Sequence, residues 1–232
     1  MESSRFTRRG SLAKLGGLLV TVAGGGALGS VSAEARGSGP AAVASGAITC
    51  VLTPELTEGP YYLAGEKNRR DITDGRPGTP LTLRLIVVNA STCRPIKGAA
   101  VDVWHADAGG VYSGFGQGAA SRTFMRGVQK TDAAGLAIFD TVYPGWYQGR
   151  TVHIHVKVHV GGNVVHTGQL FFDDALTDSV YKHSPYSLRP NRDTRNANDS
   201  IFVNGGKHSL LAVAAETPAS FTGKITMGVH AA

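Results

Sequence analysis

The chain has 232 residues, with 23 Lys and Arg against 17 Asp and Glu, for a formal net charge of +6. The basic residues form no long run and no standard nucleic-acid motif occurs, so the charge does not point to nucleic acid. Two cysteines and a 42% hydrophobic content suit one domain with its own core and exclude a cysteine-rich scaffold.

The first predicted element is a leader. Arg5, Arg8, Arg9 and Lys14 precede an apolar, Gly-rich run from Leu15 to Val31, and Val31-Ser-Ala33 offers small residues at a cleavage position. Residues 1–33 therefore read as an export signal. Paired arginines ahead of a weakly hydrophobic core give it twin-arginine character, the mark of proteins exported already folded in bacteria. The run is too short and Gly-rich for a good membrane span, so no stable anchor is expected, and the protein is expected to be secreted or held at the cell envelope. Half of the formal charge would leave with this segment. Residues 34–47, rich in Ala, Gly and Ser, read as a flexible tether, which leaves 48–232 as the folded domain.

Within that domain Cys50 and Cys93 are an even pair in an exported chain, and a disulfide between them is expected. Strands are predicted at Leu81–Val88, Ala99–Trp104, Gly135–Phe139 and Thr151–Val160. Gly161-Gly-Asn163 is a hairpin turn into Val164–Phe172, and Leu210–Ala214 and Gly223–Val229 close the series. Asp174–Tyr181 is the one short helix predicted, with Asp173-Asp174 at its start as a turn or N-cap. Residues 189–200, rich in Asn and Arg, are expected to be a long ordered loop or a lid. Short strands with tight turns imply an all-β chain: an antiparallel β-sandwich core with long loops and little helix.

The densest chemistry lies in Tyr143-Pro-Gly-Trp-Tyr-Gln-Gly-Arg-Thr-Val-His-Ile-His155. Val152, Ile154, Val156, Val158 and Val160 alternate onto one strand face, and His153 and His155 share the other. Side chains at i and i+2 stand roughly 6.6 Å apart on one face, which lets two imidazoles converge on one ion. A tyrosine just upstream can fold back across a Gly-containing turn as a phenolate. Lys157 and His159 follow on the same face and read as solvated or pocket-rim residues. Zinc sites favour His, Cys and carboxylate, and ferrous oxygenases favour two His and one carboxylate. Phenolate is a hard anionic donor that suits ferric iron. Two histidines served by tyrosines therefore point to non-haem Fe(III). Tyr61, Tyr62, Tyr112, Tyr143 and Tyr181 are all candidates for the second tyrosine. His105 reads as a structural residue at a strand end, and Trp104 and Trp146 as core or pocket-wall aromatics.

Asp102-Val-Trp-His-Ala-Asp, Gly110-Val-Tyr-Ser113, Tyr143-Pro-Gly-Trp-Tyr147 and Arg150-Thr-Val-His-Ile-His155, preceded by Thr57-Glu-Gly-Pro-Tyr-Tyr62, resemble the intradiol ring-cleavage dioxygenases. The likeness is to their small exported bacterial members and runs from about Thr49 to Phe202. The resemblance implies ferric iron held by Tyr112, Tyr147, His153 and His155, a catechol and O₂ as substrates, and a cis,cis-muconic acid as product. It makes Tyr147 an internal base as well as a ligand. It sets Arg150 against the substrate ring and Gln169 in the pocket lining, and leaves Tyr62 as a further pocket residue. Cytoplasmic members carry an N-terminal helical region that makes their dimer. Residues 34–47 offer none, which leaves the oligomeric state open. The short interval from Tyr147 to His153 implies a more open site. The alternative kept beside this one is a non-catalytic, metal-containing β-sandwich binding module at the cell surface.

Overall fold

In a computed structural model the described residues are 50–116 and 118–231. The expected export signal and tether lie outside them. The strands are β1 (Pro80–Asn89), β2 (Ala100–Trp104), β3 (Arg126–Lys130), β4 (Leu136–Val142), β5 (His153–Val160), β6 (Asn163–Phe171), β7 (Ala212–Thr217) and β8 (Ser220–Val229). They form two four-stranded sheets, ordered β4-β1-β8-β7 and β3-β2-β5-β6.

The core follows from alternation along each strand. Leu81, Leu83, Leu85 and Val87 of β1 are buried, as are Val101 and Val103 of β2 and Ile154, Val156 and Val158 of β5. These residues belong to one hydrophobic cluster, joined by Phe139, Leu170 and Met227. Each such side chain contributes roughly 1.5–3 kcal/mol by leaving water.

One feature departs from the expected all-antiparallel sandwich. β1 pairs antiparallel with β4 but parallel with β8, with Leu83 opposite Phe139 and Leu85 opposite Ile225. Alternation sorts residues to faces and carries no information about strand direction. A parallel pair needs a long connection, and the whole second sheet lies between β1 and β8 in the chain. β3 was not expected either. Arg-Gly-Val-Gln-Lys has no apolar alternation, and the segment is a strand because it pairs with β2, Asp102 opposite Val128.

The helix α1 (Asp174–Val180) forms where expected, and Asp173 caps it by accepting from the Ala175 and Leu176 amides. A second, four-residue helix, α2 (Ser200–Val203), was not expected and is capped by Asp199. Single 3₁₀ turns occur at Tyr186–Leu188, Asn196–Asn198 and Gly206–Ser209.

Cys50 and Cys93 are joined, 43 residues apart in sequence. On the chain-entropy model a loop of that length contributes about 4 kcal/mol by restricting the unfolded chain. Replacing both cysteines by serine is expected to lower unfolding free energy by about 3–4 kcal/mol, read from the urea midpoint. A midpoint unmoved by the double substitution would show that the bond constrains nothing.

Candidate metal centre

The outward face of the second sheet carries the chemistry, and strand register sets its rows. His155 of β5 lies between Trp104 of β2 and Gln169 of β6, while His153 lies opposite Phe171. This face is covered by the incoming segment around Thr57–Tyr62. Gly59 has φ +71 and passes directly over His155. A Cβ there would sit 3.1 Å from the imidazole Cε1, so glycine suits both the backbone and the close approach. The His155 ring also stacks on Trp104, with centroids 4.9 Å apart and planes 7° from parallel.

Tyr112 is presented by a tight loop after β2. The Asp107 carboxylate accepts from the Gly109 and Val111 amides at 2.9 and 3.0 Å and pairs with Arg76. Gly110, at φ +78, completes the turn where a Cβ would strike the Trp146 carbonyl oxygen at 2.2 Å. Tyr147 arrives on the loop between β4 and β5. The 189–200 segment bonds to that loop at several points: Arg189 to the Trp146 carbonyl, Asp193 to the Gly149 amide and Asn196 to the Thr151 hydroxyl. It is an ordered strap over the site's edge.

These elements bring donor atoms together. His153 Nε2 is 3.1 Å from His155 Nε2, and the Tyr147 hydroxyl is 3.3 Å from His153 Nε2. The Tyr147 ring packs edge-on to Tyr112 and to His153, at centroid distances of 5.6 Å each. The Tyr112 hydroxyl and His155 Nδ1 are buried with no hydrogen-bond partner. His153 Nδ1 donates to the Thr151 carbonyl at 2.6 Å, which fixes the tautomer and leaves the Nε2 lone pair facing the Tyr147 hydroxyl and His155.

Electrostatics agree with a ligand role. Burial pushes His153 down to about 3, with the Arg150 charge adding to the effect. Burial, then the neighbouring His153, drives His155 well below the usual imidazole range. Both rings are therefore neutral at neutral pH, as metal binding requires. Burial raises Tyr112 far above an ordinary phenol, and the nearby Tyr147 adds to this by its charge without meeting hydrogen-bond geometry. Burial also raises Tyr147, while Arg150 pulls it back. Ionising both phenols here calls for a strong positive charge between them.

The donor set fits such an ion. Donor atoms 3.1 and 3.3 Å apart are close enough to share one ion at ligand distances of about 2.1 Å. Among the described residues no group of three or more His, Cys, Asp or Glu is placed to hold a metal, and the further oxygen donors beside the two imidazoles are the hydroxyls of Tyr112 and Tyr147.

Around this centre Arg150 donates from Nε to Asp199 at 2.8 Å and from Nη2 to the Gln169 carbonyl oxygen at 2.6 Å. Gln169 is fully buried and donates to the Thr57 carbonyl at 2.8 Å. Tyr61, Phe115 and Val111 join Tyr112 and Tyr147 around a cavity of about 240 Å³. Tyr61 stacks on Tyr112 with centroids 4.3 Å apart.

The structure redirects several sequence expectations. Tyr62 does not line this cavity. It packs against Trp104 at 4.9 Å, beneath the Lys157 ammonium 3.7 Å from its ring, and its neighbour Tyr61 takes the pocket position. Pro60 and Tyr61 form a turn, and the sequence Tyr-Tyr does not say which ring that turn sends to the cavity. Lys157 is not solvated: it is buried, and paired with Glu58. Tyr143 and Tyr181 are engaged elsewhere, with the Thr177 hydroxyl and the Pro144 carbonyl. His105 is structural, held between the Ala106 carbonyl and the Thr141 hydroxyl at 2.8 Å each. Asp107 and Asp199 were not singled out as site residues. Asp107 carried a local signal, an Asp ahead of Gly-Gly, whereas the contact of Asp199 with Arg150 spans 49 residues and has none.

Residues 57–200 match a family model described as dioxygenase. Catechol 1,2-dioxygenase 1 of Acinetobacter lwoffii is 36% identical over 101 residues, 41% of this chain and 32% of that protein. The match thus spans about a third of the curated relative's length. An intradiol ring-cleavage dioxygenase structure from Tetranychus urticae superposes with a TM-score of 0.75 at 36% identity, over 78% of this chain and 95% of that one. The dioxygenase domain of a carbohydrate-binding fusion protein from Streptomyces sp. SirexAA-E gives 0.61 at 32% identity, over 78% of this chain and all of that one (100%).

Proposed function

The chain belongs to the intradiol ring-cleavage dioxygenases, and from that membership we propose that it is an exported non-haem Fe(III) enzyme. It opens the ring of a catechol between the two hydroxylated carbons with O₂, giving a cis,cis-muconic acid. The observation that carries this reading is the convergence on His153 Nε2 of the His155 Nε2 atom at 3.1 Å and the Tyr147 hydroxyl at 3.3 Å, beside the buried, unpartnered hydroxyl of Tyr112.

Tyr112, Tyr147, His153 and His155 are the residues that would hold the iron. Ferric iron, when bound there, supplies a Lewis acid to which both oxygens of a catechol can bind. Tyr147 is only part-buried, unlike Tyr112. Its Oη is therefore the phenol oxygen placed to accept a proton from an incoming catechol hydroxyl. Arg150 keeps a fixed positive charge beside Tyr147, where it favours the ionised phenol and stabilises negative charge on a neighbouring ring. Gln169 holds the guanidinium from one side. Tyr61 and Phe115 give the cavity aromatic walls that suit a planar substrate. Trp104, stacked on the ring, and the Gly59 backbone near its Cε1 edge help keep His155 from water. Action outside the cytoplasm is supported by the leader-like first 33 residues and by the joined cysteines.

The iron-loaded protein is expected to be reddish, from tyrosinate-to-ferric charge transfer, and to consume O₂ with at least one of catechol, hydroxyquinol, protocatechuate or caffeate at an oxygen electrode. A colourless protein with stoichiometric iron would overturn the ligand set. A coloured protein that takes up no O₂ with any of the four would instead be the binding module.

A further inference from the structure

Asp199, near the end of the strap, is 2% exposed and far in sequence from the residues it serves. Its Oδ2 accepts from Arg150 Nε and from the Thr151 amide, both at 2.8 Å. Its Oδ1 accepts from the Ile201 and Phe202 amides at 2.9 and 3.0 Å. One carboxylate thus joins the guanidinium, the backbone leading into the His153 strand, and the first turn of α2. The other partner of the guanidinium, Gln169, is neutral, and its own amide is committed to the Thr57 carbonyl. Of these two partners, Asp199 alone is an ionised acceptor, so only its bond joins opposite charges. The carboxylate is itself carried on a braced segment. Asn196 accepts from the Thr151 hydroxyl at 2.7 Å and donates to the Phe172 carbonyl at 2.8 Å.

Resting on the proposed role of Arg150, we infer that Asp199 is the positioning residue that sets the direction of the Arg150 guanidinium toward the Tyr147 phenol and the substrate ring. A long arginine side chain has many rotamers. A ligand that bonds Nε from a braced carboxylate removes most of them before substrate arrives, and groups held this way contribute through orientation. The same carboxylate ties that orientation to the Thr151 amide, two residues before His153, so guanidinium and imidazole are referred to one anchor.

The test uses the full-length, iron-loaded protein and Asp199→Asn. The expected result is a fall in kcat with catechol of about 10–100-fold, with iron content and the visible band unchanged. In an Arg150→Lys background there is no Nε–H to orient. The second substitution should then change kcat by less than about twofold, the non-additivity of residues acting through one another. A kcat within twofold of wild type for Asp199→Asn, or the same loss in both backgrounds, overturns the inference. A readout free of turnover uses ¹⁵N-labelled, iron-free wild-type protein. The Arg150 Nε–H resonance is expected to be protected from solvent exchange. Rapid exchange there would refute the proposal, even if Asp199→Asn failed to fold. A wild-type protein that binds iron and takes up no O₂ would count against the proposed function and leave the exchange measurement to decide the positioning role.

Discussion

Tyr147→Phe is expected to lower kcat with catechol by about 10²–10⁴-fold, the range for a lost, well-placed general base. The same change removes one of the two phenolates and should therefore weaken and shift the visible band. Stability should barely move. The hydroxyl's hydrogen-bond partner is His153 Nε2, at 3.3 Å, and one such bond contributes about 1 kcal/mol net. The ring that packs edge-on to Tyr112 and His153 is kept. Loss of activity with an intact fold is thus the signature to look for, and circular dichroism with iron analysis would check it. An unaltered spectrum would pass the ligand role to another tyrosine, and Tyr61, stacked on Tyr112, is the nearest alternative.

Arg150→Met should act on both rate and stability. Losing a preorganised positive group is expected to reduce kcat by about 10²–10³-fold. It also leaves the Asp199 carboxylate buried without its cation, and stranding one partner of a buried pair costs about 3–5 kcal/mol. The lower end applies, because Asp199 keeps three backbone amide donors. Burial acts to raise the Asp199 carboxyl, and the Arg150 and amide hydrogen bonds outweigh it and hold it below the usual range. A depressed carboxyl contributes stability above its unfolded value of about 4, and that contribution fades as pH falls through the folded value. The stability gap between wild type and Arg150→Met should therefore be widest near neutrality and narrow below about pH 4. Urea midpoints at pH 7 and pH 3.5 measure it. A gap that grows in acid would show that Asp199 is not the carboxylate involved.

How much was legible depends on how local each signal is. The His-x-His pair, with valine and isoleucine on the opposite face, could be read as a β-strand with one chemical face, and β5 is that strand. Asp173 announced its helix for the same reason: an N-cap bonds residues two and three positions away. Arg126–Lys130 gave no such cue, since its strand state comes from pairing with β2 rather than from its own pattern. Tyr61 and Tyr62 looked equivalent. Their roles separate only when one ring stacks on Tyr112 and the other slides under Lys157 against Trp104.

The chain's order of residues by itself determined the strand-rich class and the His and Tyr side chains on offer, because these follow from period and short motifs, and those motifs carried the family resemblance. Tertiary structure alone decided which tyrosine faces the cavity, that β1 and β8 run parallel, and that Asp199 meets Arg150. Each of those is a contact between segments far apart in the chain, set by register and packing that no local window contains.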